Sequence, residues 1–184
     1  MGGQGEAQDL VIAARRLLKG AAPAFMAGCL MAGPALAAAP AERATPSGLA
    51  VPRFVSIKKI PANARAGPGD DQRVLFVYSV KGVPLQVIAE TSEWRRVCDP
   101  EGQTAWLHRR LVDAQRMVIN NNPRPTTLYS RPRPDAQPAA FLNSRALAAL
   151  VRCEKGWCKI RVDGASGWVR EGALWGTSDA RQCR

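Results

Sequence analysis

An all-β fold of two small barrels in tandem is predicted for this 184-residue chain by three observations. Short runs of alternating apolar and polar residues are separated by turn residues. No stretch carries a convincing amphipathic helical period. One set of landmarks also recurs: Trp94, Val97, Gly102, Trp106 and Leu107 return as Trp157, Ile160, Gly164, Trp168 and Val169, at offsets of 63, 63, 62, 62 and 62. A two-fold repeat loses one residue in its last turn.

The N-terminus reads as an export signal and not as part of a core. Arg15, Arg16 and Lys19 precede an alanine-rich apolar run from Ala21 to Ala39, and Ala35-Leu36-Ala37 is a small-x-small cleavage site. This sets a signal peptide over residues 1–37. Pro23 and Pro34 interrupt the run and no stop-transfer charges follow it, so the cleaved chain is expected not to span a membrane. The "ARRLLKG" segment leaves general secretory and twin-arginine export both open, although Ala14 and Lys19 depart from the twin-arginine pattern. Cys29 follows "FMAG", yet apolar sequence continues beyond it, unlike a lipid-modified mature end. The Ala- and Pro-rich residues 38–52 read as a tether.

The full chain carries 26 basic and 15 acidic side chains, for a formal charge of +11; removal of the signal takes away three basic and two acidic residues and leaves +10. Such a field favours polyanions or carboxylate-rich matrices: beyond the membrane these are cell-wall polymers or anionic headgroups. Export argues against nucleic acid. An arginine-rich surface that serves only solubility is the competing account of the charge.

In chain order, "RFVSIKK" leads to "ANARAGPGDD", followed by "VLFVYSV", a turn at Lys81-Gly82, "VPLQVIAE", the "TSE" turn, "WRRVCD" and "TAWLHRRLV". Five short strands with tight turns predict a strongly bent barrel over residues 53–113. The second barrel, residues 117–176, runs through "RMVINNN", "TLYSRPRPD", a less regular middle from Ala139 to Asn143, "RALAALVRC", the "EKG" turn, "WCKIRV", the "DGAS" turn and "GWVREGALWG"; residues 177–184 form a tail. The junction between Asp113 and Met117 contains no Pro or Gly, so the barrels are expected to pack together. Within "WCKIRV", Trp157, Lys159 and Arg161 face one way and Cys158, Ile160 and Val162 the other. About 60 residues bury little core, so a large ring over the barrel end would add about 2–3 kcal/mol. Gly164 and Gly167 are expected to relieve the final turn.

The first repeat resembles a bacterial SH3-like (SH3b) domain of the exported tandem kind. The family pattern Asn-x-Arg-x-Gly-Pro-Gly stands as Asn63, Arg65, Gly67, Pro68 and Gly69; the strand-end tryptophan is Trp94; and Trp106-Leu107 match the closing strand, with Ala105 in place of its usual glycine. In the second repeat Gly167, Trp168 and Val169 restore that closing strand, but the Asn-x-Arg-x-Gly-Pro-Gly segment is missing. The resemblance spans Pro52 to Gly176. It implies SH3-like barrels, a periplasmic or secreted location, and binding of cell-wall peptides or peptidoglycan without catalysis; periplasmic proteins are the alternative partners of a scaffold.

A wall-binding groove needs aromatic faces beside basic side chains, because rings cover apolar ligand surface and Arg grips carboxylates. The candidates are Arg65, Tyr78, Trp94 and Trp106 in repeat one and Tyr129, Trp157 and Trp168 in repeat two, with the tyrosines favoured as ligand contacts. The competing account places at least two of the tryptophans in the core. No catalytic residue is assigned: His108, the only histidine, reads as a polar strand-end residue, and Asp70, Asp71, Asp99 and Glu101 as turn residues. No metal spacing, phosphate loop or serine elbow is present, and no cofactor is expected. Cys98, Cys153, Cys158 and Cys183 remain after processing, allowing three connectivities. Cys153 and Cys158 bracket a hairpin turn and are the favoured disulfide. Cys98 with Cys183 would then tie the tail to repeat one; unpaired Cys98 and Cys183, or a C-x4-C metal half-site, are the alternatives.

Overall fold

The computed structural model describes residues 45–178 and 180–183. The signal-peptide expectation over residues 1–37 and the first part of the tether lie outside the described residues. Among the described residues there is no α-helix, and no helix is long and apolar enough to cross a membrane.

The first repeat forms β1 (Arg53–Ile57), β2 (Ala62–Arg65), β3 (Val74–Tyr78), β4 (Pro84–Glu90), β5 (Trp94–Cys98), β6 (Thr104–His108), a single 3-10 turn (Arg109–Leu111) and β7 (Val112–Asp113). They assemble into one antiparallel sheet ordered β3-β2-β6-β5-β4-β1-β7. The second repeat forms β8 (Met117–Ile119), β9 (Thr126–Tyr129), β10 (Pro138–Leu142), β11 (Leu147–Glu154), β12 (Trp157–Val162) and β13 (Ala165–Arg170), ordered β10-β9-β13-β12-β11-β8. The fold is all-β, two small SH3-like units in tandem. The less regular middle expected from Ala139 to Asn143 is in part strand: β10 is an edge strand paired with β9, with Leu142 opposite Thr126 and Phe141 opposite Thr127, and its register shifts at Ala139, between Pro138 and Ala140. Its Pro and paired alanines hide the alternation that pairing imposes.

Alternation builds both cores. Val55, Ile57, Leu85, Val87, Val97 and Leu107 point into the first; Val118, Leu128, Ile160, Val169 and Leu174 point into the second. No tryptophan belongs to either cluster of buried core residues. Trp94, Trp106, Trp157 and Trp168 stand on the outer sheet faces. In the β12–β13 hairpin, Val162 pairs with Ala165, so Asp163 and Gly164 alone make the turn, both at positive φ (46° and 81°) as a type I′ turn demands. Gly167 lies not in that turn but inside β13, where a Cβ would stand 2.6 Å from Leu128 Cβ. It permits the close approach of β13 to β9.

Contacts cross from one repeat to the other. Phe54 of β1 meets Trp175 edge-on at 5.1 Å between ring centroids, with the Arg116 guanidinium 5.0 Å from the Phe54 ring. Asn121 donates to the Pro100 carbonyl (2.9 Å), Arg145 pairs with Glu101, and Cys98 is disulfide-bonded to Cys183. Cys153 is bonded to Cys158, its direct partner across β11 and β12.

Candidate ligand-binding site

Cross-strand partners share a sheet face, as do residues two apart along a strand. On the outer face of repeat one, Trp94 therefore stands with Arg96, His108, Trp106 and Arg65, because Trp94 pairs with His108, Arg96 with Trp106, and Arg65 with Trp106. The same lattice recurs in repeat two: Trp157 pairs with Arg170, Lys159 with Trp168, and Tyr129 with Trp168, while Arg152 joins opposite Lys159. Tyr129 thus occupies the position of Arg65, Lys159 that of Arg96, and Arg170 that of His108.

The two faces differ in how their rings are dressed. In repeat two, Tyr129 meets Trp157 edge-on at 5.8 Å, the Arg170 guanidinium lies 4.4 Å from the Trp157 centroid, and that of Arg152 5.0 Å from the Trp168 centroid. Each cation over a ring contributes about 0.5–2 kcal/mol and also covers it, which leaves Trp157 only 4% and Trp168 7% exposed. Arg152 and Arg170 themselves are exposed and Tyr129 is half-buried. A groove of about 280 Å³ opens along Trp157, bounded by Pro132, Glu154 and Lys155. In repeat one, Trp94 is 8% exposed and stacks edge-on with His108 at 5.2 Å, whereas Trp106 is half-buried. Arg65 is occupied by the neighbouring loop, donating to the Gln72 carbonyl (2.7 Å) and lying 3.8 Å from Asp70.

Tyr78 does not join this face. It pairs with Ala62 and packs against the core cluster beside Phe76, at 5.2 Å between centroids. Its hydroxyl donates to Asp99 Oδ2 (3.2 Å); burial, and then the Asp99 charge, raise the phenol far above its usual pKa. Asp99 is the hub of its turn, with Oδ1 accepting from the backbone N–H groups of Glu101 (3.1 Å) and Gln103 (2.8 Å). Burial pushes its carboxyl up, against those hydrogen bonds.

His108 ends β6 and caps the 3-10 turn: its Nδ1 accepts from the Arg110 N–H (3.2 Å), and its Nε2 lies 3.6 Å from Glu93 Oε2. Beside it, at the end of repeat one, is a groove of about 400 Å³. Deeper in this end, Glu90 is clamped by Arg53, Arg95 and Ser47. Burial would raise its pKa, but the hydrogen bonds from Ser47 and Arg53 outweigh that and hold it at about 2. Ser47 belongs to the last part of the tether segment, which is therefore anchored on the barrel.

Arg152, Lys159 and Arg170 were not among the residues the sequence singled out as ligand contacts. Arg170 is two residues beyond Trp168 in one strand, so spacing alone points to a shared face. Nothing local marks Arg152.

Two bent antiparallel sheets of short strands, each with a tryptophan pair on its outer face, define a tandem small-barrel protein. The family model for the bacterial SH3 domain matches residues 58–114 and 123–176, and the chain belongs to that family. No curated protein matches it. Among solved structures, NlpC1 from Trichomonas vaginalis is similar at 12% identity and a TM-score of 0.30, over 69% of this chain and 46% of that one. NlpC2 from the same organism is similar at 13% identity and a TM-score of 0.30, over 66% and 43%. The chain spans less than half the length of these structures, and a likeness so slight carries no argument about this chain.

Proposed function

We propose that this chain is an exported, non-catalytic wall-binding protein that recognises peptidoglycan or its stem peptides through the outer face of its second repeat. The observation that carries this reading is the lattice of Tyr129, Trp157 and Trp168 interleaved with Arg152, Lys159 and Arg170. It offers the half-buried Tyr129 ring to sugar or peptide surface and the exposed guanidiniums of Arg152 and Arg170, which cover the two tryptophans, to carboxylates. Net positive charge adds long-range attraction to an anionic wall, screened beyond about 10 Å at moderate salt. Repeat one keeps the same lattice with Arg65 tied to its own loop, so it contributes less.

The test is co-sedimentation of the disulfide-intact chain with purified sacculi at low and physiological salt. Tyr129→Ala and Arg170→Gln should abolish the salt-resistant part of binding, and Tyr78→Phe should leave it unchanged. Binding that salt removes completely, indifferent to Tyr129 and Arg170, would leave charge attraction alone.

A second reading, a periplasmic protein-protein scaffold, has its own support. β3 is an edge strand, and Val74, Leu75 and Val77 on it are exposed together with nearby Ile60 and Val80. An apolar, unpaired edge is suited to strand addition by a partner. Val77→Lys should abolish such pairing without affecting sacculi.

A further inference from the structure

The groove at the end of repeat one borders the tryptophan face at His108 and is lined by two kinds of side chain. Leu49, Phe54 and Val112 supply apolar lining, and Arg109 and Arg110 supply basic lining next to His108. Its volume of about 400 Å³ suits a ligand of one or two residues and not a polymer chain.

The acidic groups around it are already matched. Glu90 is held by Arg53 and Arg95, and Asp113 accepts from Ser56 Oγ (3.0 Å) and the Gln115 N–H (3.1 Å). Glu93 accepts from Arg109 Nε (3.1 Å) and lies against His108. Arg109 thus engages Glu93 with Nε, and among the described residues neither its Nη atoms nor the Arg110 guanidinium hydrogen-bond to protein. Both residues are exposed and line the groove. The turn that presents them is pinned by the His108 cap and by the Val112 N–H returning to the Arg109 carbonyl. Two adjacent arginines on a fixed turn, lining the same groove as Leu49, Phe54 and Val112, complement a carboxylate with a short apolar substituent.

We propose that this groove binds the free C-terminal carboxylate of a short peptide ending in a small apolar residue. Arg109 and Arg110 grip the carboxylate, Leu49 and Val112 cover the side chain, and His108 acts as a positioning residue through the cap. The inference does not depend on the wall-binding face: its probe contains no sugar and the groove residue substituted, Arg110, lies in the other repeat.

The experiment is an amide-detected NMR titration of the full, disulfide-intact chain with N-acetyl-alanyl-alanine, its C-terminal amide, and acetate. The free acid should shift Leu49 and the amides of residues 109–113. The amide and acetate should each bind at least tenfold more weakly, since one lacks the charge and the other the apolar group. Arg110→Gln should weaken the acid at least fivefold, and Arg124→Gln, at an exposed arginine of repeat two, should leave it unchanged. Equal binding of acid and amide, equal binding of acetate, no shifts in the groove, or indifference to Arg110→Gln would each overturn the proposal. Failure of sacculus binding with intact dipeptide binding would remove the wall reading and leave this site standing.

Discussion

Gln86, in the middle of β4, holds the backbone around Gln182, nearly a hundred residues away in sequence. Its Oε1 accepts from the N–H of Gln182 (2.9 Å) and of Cys183 (3.3 Å), and its Nε2 donates to the Ala180 carbonyl (3.0 Å). The side chain is completely buried, so all three bonds form away from water. Removal of one partner leaves the others unsatisfied. Gln86→Leu should therefore cost about 1–3 kcal/mol, read as a lowered unfolding midpoint in urea. An unchanged midpoint would mean that water replaces the tail at no cost.

The two disulfides should differ in weight. Cys98 and Cys183 are 85 residues apart, Cys153 and Cys158 only 5. Loop-closure entropy alone assigns about 4–5 kcal/mol to the first and about 2 kcal/mol to the second. Cys98→Ser with Cys183→Ser should thus lower the thermal midpoint more than Cys153→Ser with Cys158→Ser. The reverse order would point to residual structure in the unfolded chain. Loss of the first pair should also widen the distribution of inter-repeat distances in small-angle scattering, since that bond ties the tail that follows repeat two back to repeat one.

Acid should weaken the first repeat through Glu90. Its folded pKa of about 2 lies below the ordinary 4.5, because the hydrogen bonds from Ser47 and Arg53 outweigh the burial that would raise it. Folding thus favours the ionised form: the stabilisation is complete above about pH 4.5 and is lost as pH falls towards about 2, and it amounts to something on the order of 3 kcal/mol. Urea midpoints of the parent and of Glu90→Gln should differ most near pH 6 and converge near pH 2. A constant difference would place the pH dependence elsewhere.

Gly167→Ala should loosen the proposed wall-binding face. The new Cβ would stand 2.6 Å from Leu128 Cβ and 3.3 Å from the Tyr129 carbonyl oxygen, so β13 must move off β9. The expected cost is about 1–3 kcal/mol. Tyr129 and Trp157 should also separate, seen as a change in near-ultraviolet circular dichroism. Ala105, which holds the matching place in repeat one, is 4% exposed and fits within its core.

Much of this molecule was legible residue by residue. Alternation in "WCKIRV" assigned Cys158 and Ile160 to the core, and the recurrence of Trp94 and Trp106 as Trp157 and Trp168 revealed the repeat, because a strand has a period of two and a duplicated unit keeps its landmarks. The hairpin around Lys155-Gly156 likewise placed Cys153 beside Cys158. These are local properties, with partners a few residues apart.

What lay beyond the linear reading depends on partners far apart in the chain. Tyr78 and Arg65 both sit in aromatic or basic strand sequence, yet one turns to the core and Asp99 while the other stands beside Trp106, a difference set by register across three strands. Trp157 and Trp168 are buried outside the core cluster, with the Arg170 and Arg152 guanidiniums over their rings on the outer face. The clamp on Glu90, the grip of Gln86 on the tail and the groove at Arg109-Arg110 likewise arise where segments distant in sequence converge. Pattern along the chain decides which residues can be strands and which side is apolar. Which polar group meets which is decided by closure of the sheets, since a buried hydrogen bond depends on distance in space and carries no period in sequence.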